Sequence, residues 1–250
     1  MDKFKLNVPA LLGCFSVGRK DIDMKFKAVI FDLDGTLINS LEDLRTSMNY
    51  AMTECGFPTH DLDGILQRIN KGARDFVIQS LPVEYQKNDE AIEKAFKIYQ
   101  KHYAEHPVVK THPYEGIPEC VEKIKANGIP CAVFSNKTDR FVKKIVDILF
   151  PKGTFDVVMG HTDPPGKPSL PHKPDPAGAD WFSDYFGVKK EEIAMVGDSD
   201  IDIQFSVNSG LYGVGVAWGF RPPEVLEKNG AKYIASTPES LGRFICGEIE

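Results

Sequence analysis

Two aspartates, Asp32 and Asp34, are one residue apart directly after the apolar run KAVIF, and Gly35 and Thr36 follow them. A carboxylate can act as a nucleophile in covalent catalysis or as a general acid and base. A glycine lets the chain turn sharply, so that its backbone amide can approach an anion. The stretch DLDGT therefore predicts two carboxylates that divide one reaction, although taken alone it also fits a solvated turn.

Further polar residues follow three other apolar, β-rich runs. Ser135 and Asn136 come at the end of IPCAVFS, and Asp198 ends IAMVGD, with Asp202 four residues later. Lys173 follows the run FDVVMG. In an open sheet of parallel strands, ligands bind at the carboxyl ends of the strands. We therefore expect these side chains to converge at one edge of a sheet.

Three or four carboxylates at one edge need a positive charge, because like charges raise one another's pKa. Oxygen ligands without His or Cys favour Mg²⁺, which keeps coordination positions for water and a substrate phosphate. Lys173 would supply a second cation, and Ser135 a hydroxyl. Such a set of groups suits a phosphate dianion as ligand.

Strands and helices alternate along most of the chain. Strands are predicted over 27–32, 129–135, 155–160, 193–198, 211–216 and 232–235, and helices over 117–128, 138–150, 175–187, 199–210 and 222–230. Apolar strands that alternate with helices are typical of a parallel sheet buried on both faces. The pattern predicts an α/β fold with a doubly wound parallel sheet.

The first two of these strands are separated by about 95 residues, far more than one crossover helix needs. Helices are predicted within this interval over 41–56, 61–70, 73–81 and 88–106. We therefore predict a helical cap domain over 41–113, a core formed by 25–40 and 114–250, and an N-terminal extension of unknown role over 1–24.

Two short stretches beside the predicted cap are ambiguous. The loop NKGARDF (70–76) offers Lys71, Gly72 and Arg74 to the non-phosphate end of a substrate, or is a plain turn between helices. Asn39 and Ser40 precede the first cap helix and are interpreted as helix-capping residues.

Composition excludes several classes of function. The chain has 250 residues, a net charge of −6 and no basic stripe, so we expect neither a nucleic-acid nor a membrane partner. Its five cysteines are scattered and form no CxxC pair, which favours a reducing, cytoplasmic compartment. No apolar run approaches the roughly 20 residues that a transmembrane helix requires. The string LLGC resembles a lipoprotein cleavage box, but Pro9 interrupts its short apolar run.

The motifs DLDGT, SNK, HKPDP and GDSDID occur in the order and strand context of the four motifs of the haloacid dehalogenase-like (HAD) phosphatase superfamily, which the chain resembles from about residue 25 to 243. The resemblance implies a HAD-like (Rossmannoid) core. It also implies that Asp32 is the nucleophile and Asp34 the general acid and base. Ser135 and Lys173 would bind the phosphate.

The same resemblance implies the cofactor and its ligands. Mg²⁺ would be held by Asp32, Asp34 through its carbonyl, and Asp198, with Asp202 as a further acidic position that supports the metal. The predicted substrate contacts are Gly35, Thr36, Asn136 and Arg74.

Within the superfamily, the cap, SNK, VGDSDID and VAWGF look most like phosphoglycolate phosphatases. The implied function is Mg²⁺-dependent hydrolysis of a small phosphorylated metabolite through an aspartyl-phosphate, by a monomer or homodimer. A phosphosugar mutase, a haloacid dehalogenase and an inactive phosphate-binding protein of the same fold stay open as alternatives. The segment HTDPPGKPSLPHKPDP (161–176) is longer and richer in proline than the family pattern, and either shapes the pocket mouth or is a surface excursion.

Overall fold

The structure is a computed structural model that describes residues 26–161 and 170–249. The predicted N-terminal extension over 1–24 lies outside the described residues, and so does most of the proline-rich segment before Lys173.

The first half of the chain contains one strand of the main sheet, followed by four helices between two short strands. The elements in order are β1 (Ala28–Phe31), β2 (Ile38–Asn39), α1 (Leu41–Glu54), α2 (Leu62–Leu66), α3 (Ala73–Ser80), α4 (Asp89–Glu105) and β3 (His112–Pro113). Strands β2 and β3 pair antiparallel, with Ile38 opposite Pro113. The chain therefore leaves and re-enters the core at one place, on a two-stranded ribbon that the sequence analysis did not predict. The division into a core and a cap domain stays a prediction, and we call α1–α4 the inserted helices.

The second half alternates between helices and strands. Its elements are α5 (Ile117–Ala126), β4 (Cys131–Thr138), α6 (Asp139–Leu149), β5 (Val157–His161), α7 (Ala177–Phe186), β6 (Ile193–Gly197), α8 (Asp200–Ser209), β7 (Tyr212–Val216), α9 (Pro223–Lys228), β8 (Tyr233–Ala235) and α10 (Pro238–Ile245). Six strands form one parallel sheet in the order β5-β4-β1-β6-β7-β8. The predicted doubly wound α/β fold is confirmed.

The sheet is apolar on both faces, which explains the continuous apolar runs in the sequence. Successive side chains of a strand point to opposite faces. In β1, Val29 and Phe31 pack into the larger apolar cluster, which also contains side chains of the inserted helices. Ala28 and Ile30 pack into the second cluster. Strand order reverses at β1, between β4 and β6, and such a switch point opens a crevice at the carboxyl ends of the strands.

Two helices differ from the prediction. Helix α2 ends at Leu66, although the pattern predicted helix to residue 70; Asn70 itself has a φ of 91°, which an α-helix does not contain. Helix α10 was not predicted, although Thr237 caps it by accepting a hydrogen bond from the Ser240 backbone N–H. Among the helices that the structure describes, none is long and apolar enough to cross a membrane.

Candidate active site

Three carboxylates and one lysine lie together at the switch point. Asp32 follows β1, Asp198 follows β6, and Asp202 lies in the first turn of α8; one oxygen of each lies within 4.8 Å of the others. The Nζ of Lys173 lies 2.6 Å from Asp202 Oδ1 and 2.9 Å from Asp32 Oδ1. It also donates to the Phe134 carbonyl at 2.8 Å. The structure thus brings together residues that the sequence spreads over 170 positions.

Burial dominates the electrostatics of this cluster. It raises the pKa of Asp32 to about 7, with Asp202 and Asp34 adding to the rise and Lys173 opposing it. Burial also raises the pKa of Asp198 well above its usual range, helped by the nearby Asp202 and Asp32. Burial would lower the pKa of Lys173, but the neighbouring carboxylates of Asp202 and Asp32 raise it instead. One ammonium is therefore too little positive charge for these carboxylates.

The donor set fits a hard divalent cation. All three carboxylates are buried, and the pKa shifts of Asp32 and Asp198 show that their charge is undercompensated. Oxygen donors alone are the ligands that Mg²⁺ and Ca²⁺ prefer. Asp202 differs from the other two, because its Oδ1 accepts from Lys173 and its Oδ2 from the Ser199 hydroxyl at 2.6 Å. These contacts suit Asp202 to holding Lys173 in place.

The side chain of Asp198 lies against the backbone of Gly35 and Gly219, where a Cβ atom would not fit. Gly35 has a φ of 87°, and a Cβ there would lie 2.2 Å from Asp198 Oδ2. A Cβ on Gly219 would lie 2.1 Å from Asp198 Cβ. The Gly35 amide was predicted to approach the phosphate, but it donates to the Ile38 carbonyl at 2.8 Å within the turn. Gly35 therefore makes room for a carboxylate, and its predicted contact with substrate stays a prediction.

The hydroxyl of Thr36, predicted to contact substrate, donates to Asp198 Oδ1 at 3.1 Å. The Phe220 amide donates to the other oxygen of the same carboxylate at 2.8 Å. Both contacts orient Asp198. The hydroxyl of Ser135 is buried beside the cavity and accepts from the Lys137 amide at 3.3 Å.

Asp34 lies apart from this cluster, in contact with a residue to which the sequence analysis gave no role. The Nζ of Lys137 donates to Asp34 Oδ1 at 2.7 Å and to Oδ2 at 2.9 Å. Ser40 was interpreted as a helix cap, but its side chain makes no capping bond to α1 and its hydroxyl donates to Asp34 Oδ1. The only sequence signals were the third letter of SNK and a serine six residues after Asp34.

Asn136 is a clamp on Lys173. Its Oδ1 accepts from the Lys173 backbone N–H at 2.8 Å, and its Nδ2 donates to the Lys173 carbonyl at 3.0 Å and to the Asn70 carbonyl at 3.1 Å. The predicted contact of Asn136 with substrate stays a prediction, whereas these bonds make it a positioning residue for Lys173. They also join the core to the loop between α2 and α3.

A cavity of about 60 Å³ is lined by Asp32, Asp202 and Lys173 and also by Asp34 and Lys137. Asp32, Lys173 and Ser135 line one end of it. The lining on the side of Asp34 is mostly apolar and aromatic and includes Leu44, Ile69, Phe76, Tyr99, Tyr103 and Phe141.

Arg74 lies outside this cavity. Its guanidinium forms an ion pair with Glu93, lies 5.8 Å from the ring centre of Phe96, and lines an outer space of about 630 Å³. In this arrangement the structure does not bring Arg74 to Asp32, and its predicted contact with substrate stays a prediction.

Comparisons with known proteins agree with this arrangement. The model of the haloacid dehalogenase-like hydrolase family matches residues 29–216. A phosphoglycolate phosphatase of Aquifex aeolicus is 33% identical over 194 residues, which are 78% of this chain and 86% of that protein. One of Thiobacillus denitrificans is 32% identical over 207 residues, 80% of this chain and 87% of that protein.

The fold is shared with solved structures as well. A crystal structure of a candidate phosphoglycolate phosphatase from Lactobacillus delbrueckii subsp. bulgaricus superposes with a TM-score of 0.80 at 30% identity, over 89% of this chain and 99% of that one. Because the family match spans most of the chain and its relatives share the sequence at this level, the protein belongs to the haloacid dehalogenase-like hydrolase family.

Proposed function

We propose that this protein is a Mg²⁺-dependent phosphatase that hydrolyses the phosphate monoester of a small metabolite, with phosphoglycolate as the leading candidate. The observation that carries the proposal is the buried cluster of Asp32, Asp198, Asp202 and Lys173, which combines a carboxylate on a rigid strand end with two places for positive charge. The named relatives support phosphoglycolate as the substrate.

In the first half of the proposed reaction, a carboxylate oxygen of Asp32 attacks phosphorus. The bond between phosphorus and the ester oxygen breaks, and its electron pair stays on that oxygen. Asp34 gives this oxygen a proton, so that the product leaves as a neutral hydroxyl group. The enzyme then carries an acyl phosphate on Asp32.

In the second half, Asp34 removes a proton from a water molecule, whose oxygen attacks the phosphorus of the acyl phosphate. Inorganic phosphate leaves, Asp32 becomes a carboxylate again, and Asp34 holds the proton with which it began. Two aspartates one residue apart thus have separate tasks, as their separate contacts in the structure suggest.

Mg²⁺, held by Asp32, Asp198 and the Asp34 carbonyl, would neutralise charge on the phosphoryl oxygens. Lys173, oriented by Asp202 and Asn136, would bind a phosphoryl oxygen. Such assistance is needed because phosphate monoesters hydrolyse so slowly in water that enzymes accelerate the reaction by up to about 10²¹-fold. The inserted helices would exclude water through the apolar wall of the cavity.

A screen of several dozen phosphorylated metabolites with Mg²⁺, read by release of inorganic phosphate, tests the proposal. Phosphorus NMR on any substrate found would detect transfer of the phosphoryl group without free phosphate, which is the outcome expected of a mutase. Full activity in EDTA would point to a metal-independent reaction such as dehalogenation. No hydrolysis of any ester would contradict the proposal.

The sharpest single variant is Asp32→Asn, for which we expect a loss of phosphate release of about 10⁴-fold or more, because the nucleophile is gone. Asp156→Asn is a matched control, since Asp156 accepts a hydrogen bond from the Cys131 amide at the amino end of β4, away from the site. We expect it to retain activity. Thermal unfolding of both variants would show whether the fold is intact, and normal turnover by Asp32→Asn would refute the mechanism.

A further inference from the structure

Lys137 is a second lysine of the cavity that the proposed phosphate chemistry does not use. It is the second-to-last residue of β4, in the part of the strand where the register with β5 shifts after Phe134. Its side chain is 9% exposed, and its Nζ lies 4.8 Å from the ring centre of Tyr103 on α4. A buried ammonium is costly unless it is paired, and here the pairing carboxylate is Asp34.

The donors of Lys137 are only partly used. An ammonium has three N–H donors, and two of them bind the oxygens of Asp34. No oxygen acceptor for the third is found among the residues that the structure describes. Lys173 differs, because it donates to Asp202 and the Phe134 carbonyl and its remaining donor faces Asp32, the residue proposed to receive the phosphoryl group.

The cavity lining, as far as the structure describes it, contains two further unused polar groups, the Nδ2 of Asn70 and, beside Lys137, the hydroxyl of Tyr103. The hydroxyl of Tyr103 is buried and has no hydrogen-bond partner in the described part of the chain. Tyr103 and Lys137 both line the cavity, where the cations among the described residues are Lys137 and Lys173. A buried polar group without a partner indicates either a cost to stability or a ligand that supplies the partner.

We propose that Lys137, together with the Tyr103 hydroxyl, binds a carboxylate carried by the leaving group, and so selects phosphate esters of small 2-hydroxycarboxylates. This inference rests on the proposed phosphatase function and on the role of Asp34 in it. In this proposal, Lys137 of β4 and Tyr103 of α4 distinguish leaving groups that carry a carboxylate from neutral ones.

The chemistry of the substrate places its carboxylate near Lys137. The ester oxygen must lie at hydrogen-bond distance from Asp34 to receive its proton. In a 2-hydroxycarboxylate ester, the carboxylate carbon is two bonds from that oxygen, so it lies beside the groups that contact Asp34. Without a cation, a carboxylate buried among these aromatic side chains would be poorly solvated. A neutral leaving group would leave the third donor of Lys137 without a partner.

The test compares two esters that differ in one group. Phosphoglycolate carries a carboxylate where ethyl phosphate carries a methyl group, and kcat/KM is measured for both with Mg²⁺. We expect the wild-type protein to prefer phosphoglycolate, and Lys137→Met to lower the ratio of the two kcat/KM values by at least about 30-fold, as is usual when one partner of a buried charge pair is removed. Lys137→Arg keeps the charge and should retain most of the ratio.

Tyr103→Phe removes only the hydroxyl. We expect it to lower the same ratio by about 5- to 10-fold, the usual effect of one lost hydrogen bond. It should fold normally, because the hydroxyl has no partner to lose. An unchanged ratio in this variant would remove Tyr103 from the proposed subsite.

A purely structural role for Lys137 predicts a different result. If Lys137 only orients Asp34, both esters lose kcat/KM equally and the ratio stays constant, which would overturn the inference. Equal use of both esters by the wild-type protein would also overturn it. If the wild-type protein hydrolyses neither ester, phosphoglycolate is not its substrate and the proposed function fails. Failure of the proposed function can therefore be distinguished from failure of the proposed carboxylate subsite.

A measurement on the wild-type protein covers the case in which Lys137→Met does not fold. Glycolate and ethanol are compared as competitive inhibitors of ethyl phosphate hydrolysis. We expect glycolate to inhibit at a concentration at least about 10-fold lower than ethanol, since only glycolate can pair with the ammonium. Equal inhibition by the two would overturn the inference.

Discussion

The two ends of the cavity are built from different parts of the molecule. At the proposed phosphate end, Asp32, Ser135 and Lys173 come from the parallel sheet and the loops at its carboxyl edge. At the other end, Asp34 and Lys137 meet aromatic side chains of the inserted helices, among them Tyr103. The comparison teaches that the sheet and its loops supply the groups proposed to act on the phosphate, whereas the side chains beside Asp34 and Lys137 come partly from the inserted helices.

Asn136 joins the two ends, since its side chain bonds both Lys173 and the Asn70 carbonyl. The first prediction therefore concerns Asn136→Ala, which removes this link between the two ends. We expect kcat to fall by about 10- to 100-fold, as is typical when a residue that orients an active-site group is lost. Steady-state kinetics on the best substrate would measure this.

Asn49→Ala is the matched control for that variant. Asn49 makes the same two-pronged clamp, here on the backbone N–H and carbonyl of His60, at 2.8 Å each, within the inserted helices. We expect it to lower stability and leave kcat unchanged. If Asn136→Ala also keeps its kcat, the orientation of Lys173 does not depend on Asn136.

The second prediction concerns Asp43, which fastens the inserted helices to the returning chain. Its carboxylate accepts from the backbone amides of Val109, Lys110 and Thr111 and from the Thr111 hydroxyl, at 2.7–3.1 Å. Burial alone would raise the pKa of Asp43, but these hydrogen bonds hold it below its ordinary value. We expect Asp43→Asn to lower the free energy of unfolding at pH 7 by about 1.5–3 kcal/mol, the value of hydrogen bonds to a charged group.

The sign of the pH dependence follows from the depressed pKa. The stabilisation by Asp43 is present above about pH 4 and is lost as pH falls through the folded-state pKa. The difference between wild type and Asp43→Asn in urea unfolding should therefore shrink in acid. Asp61→Asn is a control with a single bond to the Gly64 amide and should change little. A constant difference from pH 7 to pH 3 would contradict the assignment.

The third prediction concerns the proposed phosphate end without metal. Because burial raises the pKa of Asp32 to about 7, the folded state keeps a proton that the unfolded state has released. In EDTA, stability should thus fall as pH rises from about 4 to about 7. Mg²⁺ should flatten this slope by compensating the carboxylate charge, and Asp32→Asn should reduce it without metal, with the remaining slope coming from Asp198, whose pKa burial also raises. Unfolding temperatures are measured as a function of pH with and without Mg²⁺. The same pH dependence in both conditions would contradict a cation site here.

Much of the phosphate end was predictable because its residues immediately follow apolar runs. Asp32, Ser135 and Asp198 could be placed at one edge once the runs were interpreted as parallel strands. Lys173 needed the motif HKPDP, because a lysine in a loop has no periodicity of its own. The ribbon of β2 and β3 was missed, since two-residue strands are too short to show an alternating pattern.

The roles of single polar residues were less predictable. Contacts outside the local sequence define the roles of Ser40, Asn136 and Gly35. Each makes a hydrogen bond or a close approach to a residue that is distant in the chain or lies across a turn. The local sequence favoured a helix cap for Ser40 and an anion contact for Gly35. Both interpretations depend on partners that local sequence does not contain.

The sequence by itself determined the α/β class, the parallel sheet and the acidic residues at its edge, because periodicity and strand ends are local properties of the chain. Only the tertiary structure decided that Lys137 pairs with Asp34, that Asn136 clamps Lys173, and that Tyr103 lines the cavity. Hydrogen bonds and desolvation depend on distances between segments far apart in the chain, and these distances exist only once the sheet and the inserted helices have packed together.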